Sequence, residues 1–194
     1  MIFTQSVITV IVLIGLIAAF VLTLVADMLN IRRLTPALPD EFKTHYDRAT
    51  YTRSQEYLKT TTRFGLIRAG ADLLALLIFW FSGGFRLIDG LVRGLGLDPI
   101  LSGLCFTGIL LGLKLIFSLP FNVYSTFVIE EKYGFNKTTP GLFFSDLLKG
   151  VLLSALLGGT LLALVLLFLK SMGASAWLWC WGASALFILG AQII

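Results

Sequence analysis

Residues 119–150 read LPFNVYSTFVIEEKYGFNKTTPGLFFSDLLKG, a polar junction wedged between two membrane-length apolar runs. On its N-terminal side, 99–129 is broken by a single charge, Lys114; on its C-terminal side, 150–169 carries none. A generic loop needs turn formers and a few charges. This one holds Pro120-Phe121, Tyr124, the acidic pair Glu130-Glu131, then Gly134-Phe135-Asn136 and Thr138-Thr139-Pro140-Gly141. The run before it is too long for one untilted span of about 20 residues. It is therefore expected to leave the bilayer as a helix, carrying Phe121, Tyr124 and Glu130 toward the surface.

Composition places the rest of the chain around that junction. Of 194 residues, 57% are hydrophobic and 13% charged, and the mean hydropathy is +0.91. Soluble domains carry about 25% charged residues, so the deficit marks an integral membrane protein. Spans are expected near 2–26, 69–88, 99–129, 150–169 and 171–194, which predicts an all-α, polytopic helix bundle of about five crossings, with four the fallback. The first stretch lacks the basic n-region and short apolar core of a signal peptide and reads as a retained span. The second is the weakest, because Asp72 and Arg86 leave only 73–85 uncharged.

Charge distribution argues against a nucleic-acid partner despite the net +4. Eight of the fifteen Lys and Arg lie between Arg32 and Arg68, interleaved with Asp40, Glu41, Asp47 and Glu56; this is a mixed-charge amphipathic segment, not a phosphate-binding stripe. Lys132, Lys137 and Lys149 follow the third span, whereas the opposite side holds Arg86, Arg93 and Lys170. The positive-inside rule predicts a cytosolic first loop (amphipathic over 40–68), a cytosolic loop at 130–149, and an N-terminus outside. Within the first loop, Pro36 and Pro39 set an extended turn. Phe42, Tyr46, Ala49 and Arg53 then recur at helical spacing, and Tyr57, Thr61 and Phe64 continue a similar face, so the second membrane helix should run well beyond the bilayer. Gly90 to Asp98 reads as a short glycine-rich connection. Gly108 and Gly112 form a GxxxG pair inside an apolar helix, weak evidence for a packing face. Trp177, Trp179 and Trp181 cluster where interfacial rings are favoured. The chain ends at Ile194 within apolar sequence, which suggests a polypeptide cut before something that should follow.

Catalytic chemistry is hard to place. A zincin needs two His at i and i+4 on one helical face with a Glu between them. The sequence has one histidine, His45, on the mixed-charge segment, where a solvated or salt-linked role is the plain reading. Ser118, Ser125 and Ser154 have no histidine near them in sequence to activate them. Glu130 and Glu131 are adjacent, so on a helix they point about 100° apart and do not share a substrate atom; a helix emerging into water, or a salt bridge to a partner domain, explains them better. Cys105 and Cys180 read as two small hydrophobes in apolar spans, with a disulfide between them left open. The sequon Asn136-Lys137-Thr138 falls in the loop assigned to the cytosol. Lys114, mid-span, costs at least a few kcal/mol in lipid and should face protein or water. Either it lines a polar cavity, or it pairs with carbonyls or a carboxylate simply to be tolerated.

The junction closely resembles the segment leading out of the third span of the type I CAAX prenyl proteases, integral-membrane zinc metalloproteases. The shared pattern is P-F-x-x-Y-x-x-F-x-x-E-E-[basic]-x-G-F-N-[basic]-x-T, matched here from Pro120 and Phe121 through Tyr124, Glu130, Glu131, Gly134, Phe135 and Asn136 to Thr139. The segment 46–64 resembles the family more loosely. The resemblance implies a chamber-forming helical barrel, of which this chain would supply five of seven walls, with Lys114 facing the chamber. It also implies that Tyr124, Glu130, Glu131, Phe135 and Asn136 dock a cytosolic zinc domain. That domain carries the H-E-x-x-H motif, absent here, so the chain alone should be inert: no metal or cofactor in this chain, zinc in the missing domain. The partners implied are the lipid bilayer, the cognate zinc domain in cis or in trans, and a prenylated or hydrophobic C-terminal peptide. The membrane would be the cytoplasmic one in a bacterium and of endoplasmic reticulum type in a eukaryote. The alternative is a stand-alone, non-catalytic membrane scaffold or hydrophobic-peptide-binding protein; a transporter fragment using Lys114 and Asp72 would want broken helices and paired repeats, and no second half resembles the first.

Overall fold

A computed structural model describes residues 2–34 and 47–191. The Pro36–Pro39 turn, Phe42, His45 and Tyr46 lie outside the described residues. Every regular element among the described residues is helical: α1 (Ile2–Arg33), α2 (Arg48–Phe81), α3 (Gly84–Gly94), α4 (Pro99–Tyr124), a π-helical segment (Ser125–Glu130), α5 (Glu131–Tyr133), α6 (Pro140–Met172), a 3-10 turn (Gly173–Ser175) and α7 (Ala176–Ala191). Four helical stretches, 6–33, 48–81, 99–133 and 140–172, are long and apolar enough to cross a membrane. Leu22, Leu74, Leu111, Ile116, Leu156 and Leu161 stand exposed on them, whereas among the described residues the buried apolar side chains are a handful. In water such a chain would lack a core; in lipid the outward apolar faces are solvated and each backbone donor is satisfied within its own helix.

Helix ends follow local chemistry, and they fall differently from the sequence expectation in three places. Instead of running to 88, α2 stops at Phe81, where Gly83 takes φ 82°. The glycine-rich stretch then is not a plain loop: α3 continues to Gly94, burying Ile88 and Val92 on one side and pairing Arg93 with Asp89 one turn earlier at 2.7 Å. Nor does the loop after the third span extend to 149. Thr139 caps α6 by accepting the Leu142 amide, and Pro140 occupies the first turn, where its missing N–H is no loss. The turn-like Thr-Thr-Pro-Gly is therefore a helix start. The fifth apolar stretch begins with a 3-10 turn, Gly173 adopting φ 54°, before α7.

The helices form two compact units: 1–85 with 116–138, and 86–115 with 139–194. In the first, α1 packs on α2, the Phe20 ring lying 3.9 Å from where a Gly70 side chain would begin. Asp47 caps α2 through the Thr50 amide (3.0 Å) and hydroxyl (3.1 Å), bonds that hold its carboxyl below the usual carboxylate range. In the second, a Cβ on Gly103 would sit 2.7 Å from Leu166 Cδ1, so α4 and α6 touch there. Lys170 Nζ donates to Asp98 Oδ1 at 3.2 Å, tying the end of α6 to the start of α4. Cys105 and Cys180 are free thiols.

The Asp98 carboxyl is lowered from its ordinary 3.8, first by the Lys170 hydrogen bond. A depressed folded value means the contribution is present above the unfolded value and is lost as pH falls through the folded one. Lys170→Ala should therefore lower the thermal midpoint at neutral pH, and the gap to wild type should close as pH falls through the lowered Asp98 value, read in paired melting curves from neutral into acid.

Candidate functional site

The junction singled out in sequence is built where the end of α4 meets α2. Pro120 sits inside α4 and supplies no N–H to the preceding turn. Five residues later the backbone widens into the π-helical Ser125–Glu130, a feature often found at functional positions. Ile129 and Tyr133, one turn apart, are the buried residues of this stretch. Tyr133 is 8% exposed, and its hydroxyl lies 2.7 Å from Thr60 Oγ1 on α2. The face expected through Tyr57 and Phe64 is the one that receives the junction: Tyr57 meets the Tyr133 ring edge-on at 5.6 Å and the Phe135 ring at 4.6 Å. Two and three turns beyond Tyr57 along α2, Phe64 packs on Tyr124 (5.1 Å) and Phe121 (6.1 Å), and Arg68 Nη1 donates to Asn122 Oδ1 at 2.8 Å.

Beyond Tyr133 the chain turns on Gly134, whose φ of 76° is left-handed and strained for any L side chain. The Glu130 carbonyl then accepts the amides of Phe135 (2.9 Å) and Asn136 (3.3 Å), closing the helix end in the manner of a left-handed cap. Asn136 Nδ2 donates to Glu131 Oε2 at 2.9 Å, and its Oδ1 accepts the Thr138 amide at 2.7 Å, so the sequon asparagine is committed on both sides of its amide.

The motif thus splits in two. Phe121, Glu131, Gly134 and Asn136 have internal roles in forming the turn and holding it on α2. Tyr124 and Phe135 each pack on α2 with one face and leave about half their surface open, 48% and 49% exposed. Glu130 is half-buried with a side chain that bonds to no described residue, and Pro120 faces outward. Lys114 belongs to the second unit; it is exposed on α4 and has an interaction of its own. Sequence reading missed Thr60, Arg68, Asn122 and Tyr133. Tyr133 was legible, since it follows Ile129 by one helical turn; the partners on α2 were not, because nothing local fixes which turn of α2 faces the junction.

Each unit has a concavity of its own. In the first unit, Asp47, Arg48, Thr52, Arg53, Glu56, Lys132 and Tyr133 line a charged one of about 690 Å³. In the second, α4 and α6 diverge beyond the Gly103–Leu166 contact into an apolar cleft of about 1170 Å³. Gly108, Gly112, Gly150, Gly158 and Gly159 line it with nothing within 4 Å of a would-be side chain, so the GxxxG pair opens on space rather than on a described helix. Among the described residues no group of three His, Cys, Asp or Glu is arranged to hold a metal ion. With one histidine in the chain, the donor set does not fit a zincin centre, and no chemical step through zinc is derived from these residues.

Comparison with known proteins falls on one family. Residues 27–194 match the model described as CAAX prenyl protease N-terminal, five membrane helices. The CAAX prenyl protease 1 homolog of Arabidopsis thaliana is 33% identical across 83% of this chain and 40% of its own length. CAAX prenyl protease 1 of Saccharomyces cerevisiae is 33% identical across 69% of this chain and 31% of its own. The crystal structure of S. mikatae Ste24p superposes with a TM-score of 0.77 at 27% identity, covering 92% of this chain and 44% of that one. The chain therefore spans well under half the length of these relatives.

Removing either partner of the Tyr133–Thr60 bond should cost about 1 kcal/mol, more where the other hydroxyl is left buried and unpaired. Tyr133→Phe, Thr60→Val and the double variant, compared by denaturant unfolding, should give a coupling of about 1 kcal/mol. Strictly additive losses would mean the bond does not hold the junction to α2.

Proposed function

The chain belongs to the CAAX prenyl protease family, as its N-terminal membrane region, and we propose that it is the membrane module of a zinc metalloendopeptidase whose catalytic domain it seats. The observation that carries this reading is the division of labour within the junction. Internal bonds fix the turn at Gly134–Asn136, and the half-open Tyr124 and Phe135 rings, with the Glu130 carboxylate, remain on the outside of a rigid helix end. Two aromatic rings and an acid that pairs with no described residue, on a fixed support, suit a docking surface, since aromatic anchors dominate interface energetics. Glu131 and Asn136 act as positioning residues behind it.

Seated there, the zinc domain would supply metal, water and base, and would cleave peptides with prenylated or otherwise hydrophobic C-termini. The helices would form part of the wall of a chamber, with Lys114 turned toward its water. The excess of Lys and Arg at the junction side supports a cytosolic junction and an N-terminus across the membrane, of endoplasmic reticulum type in a eukaryote. A second reading, a non-catalytic protein that binds hydrophobic peptides, is supported by the apolar α4–α6 cleft.

Co-expression with the H-E-x-x-H region of a relative tests the first reading. The chain alone should retain no zinc and cleave no prenylated peptide, whereas the pair should copurify and cleave. Phe135→Ala or Glu130→Gln should weaken association by about tenfold, or 1.4 kcal/mol, with the fold intact by circular dichroism. Association unchanged in both variants would remove the docking surface. Peptide retention by the chain alone, without any effect of the zinc region, would favour the second reading.

A further inference from the structure

The Arg68–Asn122 pair has a feature that holding two helices together does not use. Arg68 presents five N–H donors in a planar fork, and one of them, on Nη1, reaches Asn122 Oδ1. Its other donors and the Asn122 amide N–H groups bond to no described residue, and Arg68 forms no ion pair with a described carboxylate. Both side chains are half-buried. None of these spare donors is sealed inside the protein, so they stay open to a ligand from outside, and an oxygen-rich anion is their natural complement; a guanidinium takes phosphate through two parallel bonds.

Position identifies the carrier of that anion. Arg68 is the last cation of α2, and beyond Asp72 the helix is uncharged to Phe81; Arg68 thus stands at the edge of the apolar part, where a guanidinium reaches the headgroup layer. Asn122 is about 12 Å along the helix from Glu130, at the membrane end of the junction. The pair adjoins an aromatic wall: Phe64, one turn from Arg68, packs on Phe121 and Tyr124, and Phe117 on Phe121 at 5.6 Å. Donors for an anionic oxygen beside apolar rings, at the hydrocarbon edge, match a molecule with a phosphate on a hydrocarbon tail.

We infer that Arg68 and Asn122 form a phospholipid site, the phosphate bridging the guanidinium and the amide while the acyl chain lies along Phe64, Phe117 and Phe121. This goes beyond seating the zinc domain and does not depend on it. The site would anchor the clamp between α2 and α4 to the plane of the membrane and so set the height at which the junction stands above it.

The test uses the full chain purified in detergent and titrated with dioleoyl phosphatidylglycerol or with dioleoylglycerol, which has the same tails and no phosphate. Native mass spectrometry and the thermal midpoint are the readouts. Wild type should retain the phospholipid about tenfold over the diacylglycerol, Arg68→Gln should reduce the preference to about twofold or less, and Arg63→Gln, an exposed cation one residue from Phe64, should leave it unchanged. Arg68→Lys keeps the charge without the fork and should lose most of the preference, and Asn122→Ala part of it; both hold the test open should Arg68→Gln fail to fold. Equal retention of the two lipids by wild type, or an undiminished preference in folded Arg68→Gln and Arg68→Lys, would overturn the site. Displacement by inorganic phosphate alone, or by a hydrophobic peptide carboxylate at lower concentration than the phospholipid, would overturn its assignment to lipid.

Discussion

The hydroxyl bond between Tyr133 and Thr60, with Tyr57 and Phe135 packed around it, is the constraint on which the junction depends. A helix leaving a bilayer loses the lipid that solvated its apolar face and has no soluble core to enter. Here the exit is managed by a second helix that leaves the bilayer beside it. The mixed-charge half of α2 supplies a wettable outer side and, on its inner side, the ring and hydroxyl that bury Tyr133. Without that contact, Glu131–Tyr133, the last turn of the 99–133 helix, would be an unsupported end free to fray.

From that contact the rest of the junction follows in order. Burial of Ile129 and Tyr133 sets the face of the exiting helix, and the π-helical turn lets that face differ from the one Phe121 and Tyr124 present to Phe64. Gly134 then reverses the chain in a conformation other residues resist, the Glu130 carbonyl takes two amides, and Asn136 locks the turn against Glu131. Thr139 and Pro140 start α6 immediately. Six residues thus connect two long helices, and the outward rings are fixed as a consequence. The same economy explains how a motif with many specified positions can leave few of them for a partner.

Much of this was legible in sequence, and the failures have physical causes. Hydropathy gave the helical membrane class because a run of about 20 apolar residues has few other uses, and the pattern at 120–139 gave the family. The start of α6 was not legible because its residues serve two purposes: Thr-Thr-Pro-Gly forms a turn in one context and caps a helix in another. The α3 segment was hidden because its glycines outweigh a short amphipathic period. Contacts between helices, Thr60 with Tyr133 and Arg68 with Asn122, were out of reach, since spacing along one helix does not fix its rotation against another. The roles of Glu130 and Lys114 rest on what a partner domain and a water-filled space would do.

Hydrogen exchange at the amides of Phe135 and Asn136 tests the central claim most directly, because both donate to Glu130 only while the turn is closed on α2. In Thr60→Val these two amides should exchange about five- to tenfold faster than in wild type, the ratio expected for losing about 1 kcal/mol of local stability, with α6 amides unaffected. Unchanged exchange at both positions in a folded Thr60→Val would show that the turn closes without α2, contradicting the account.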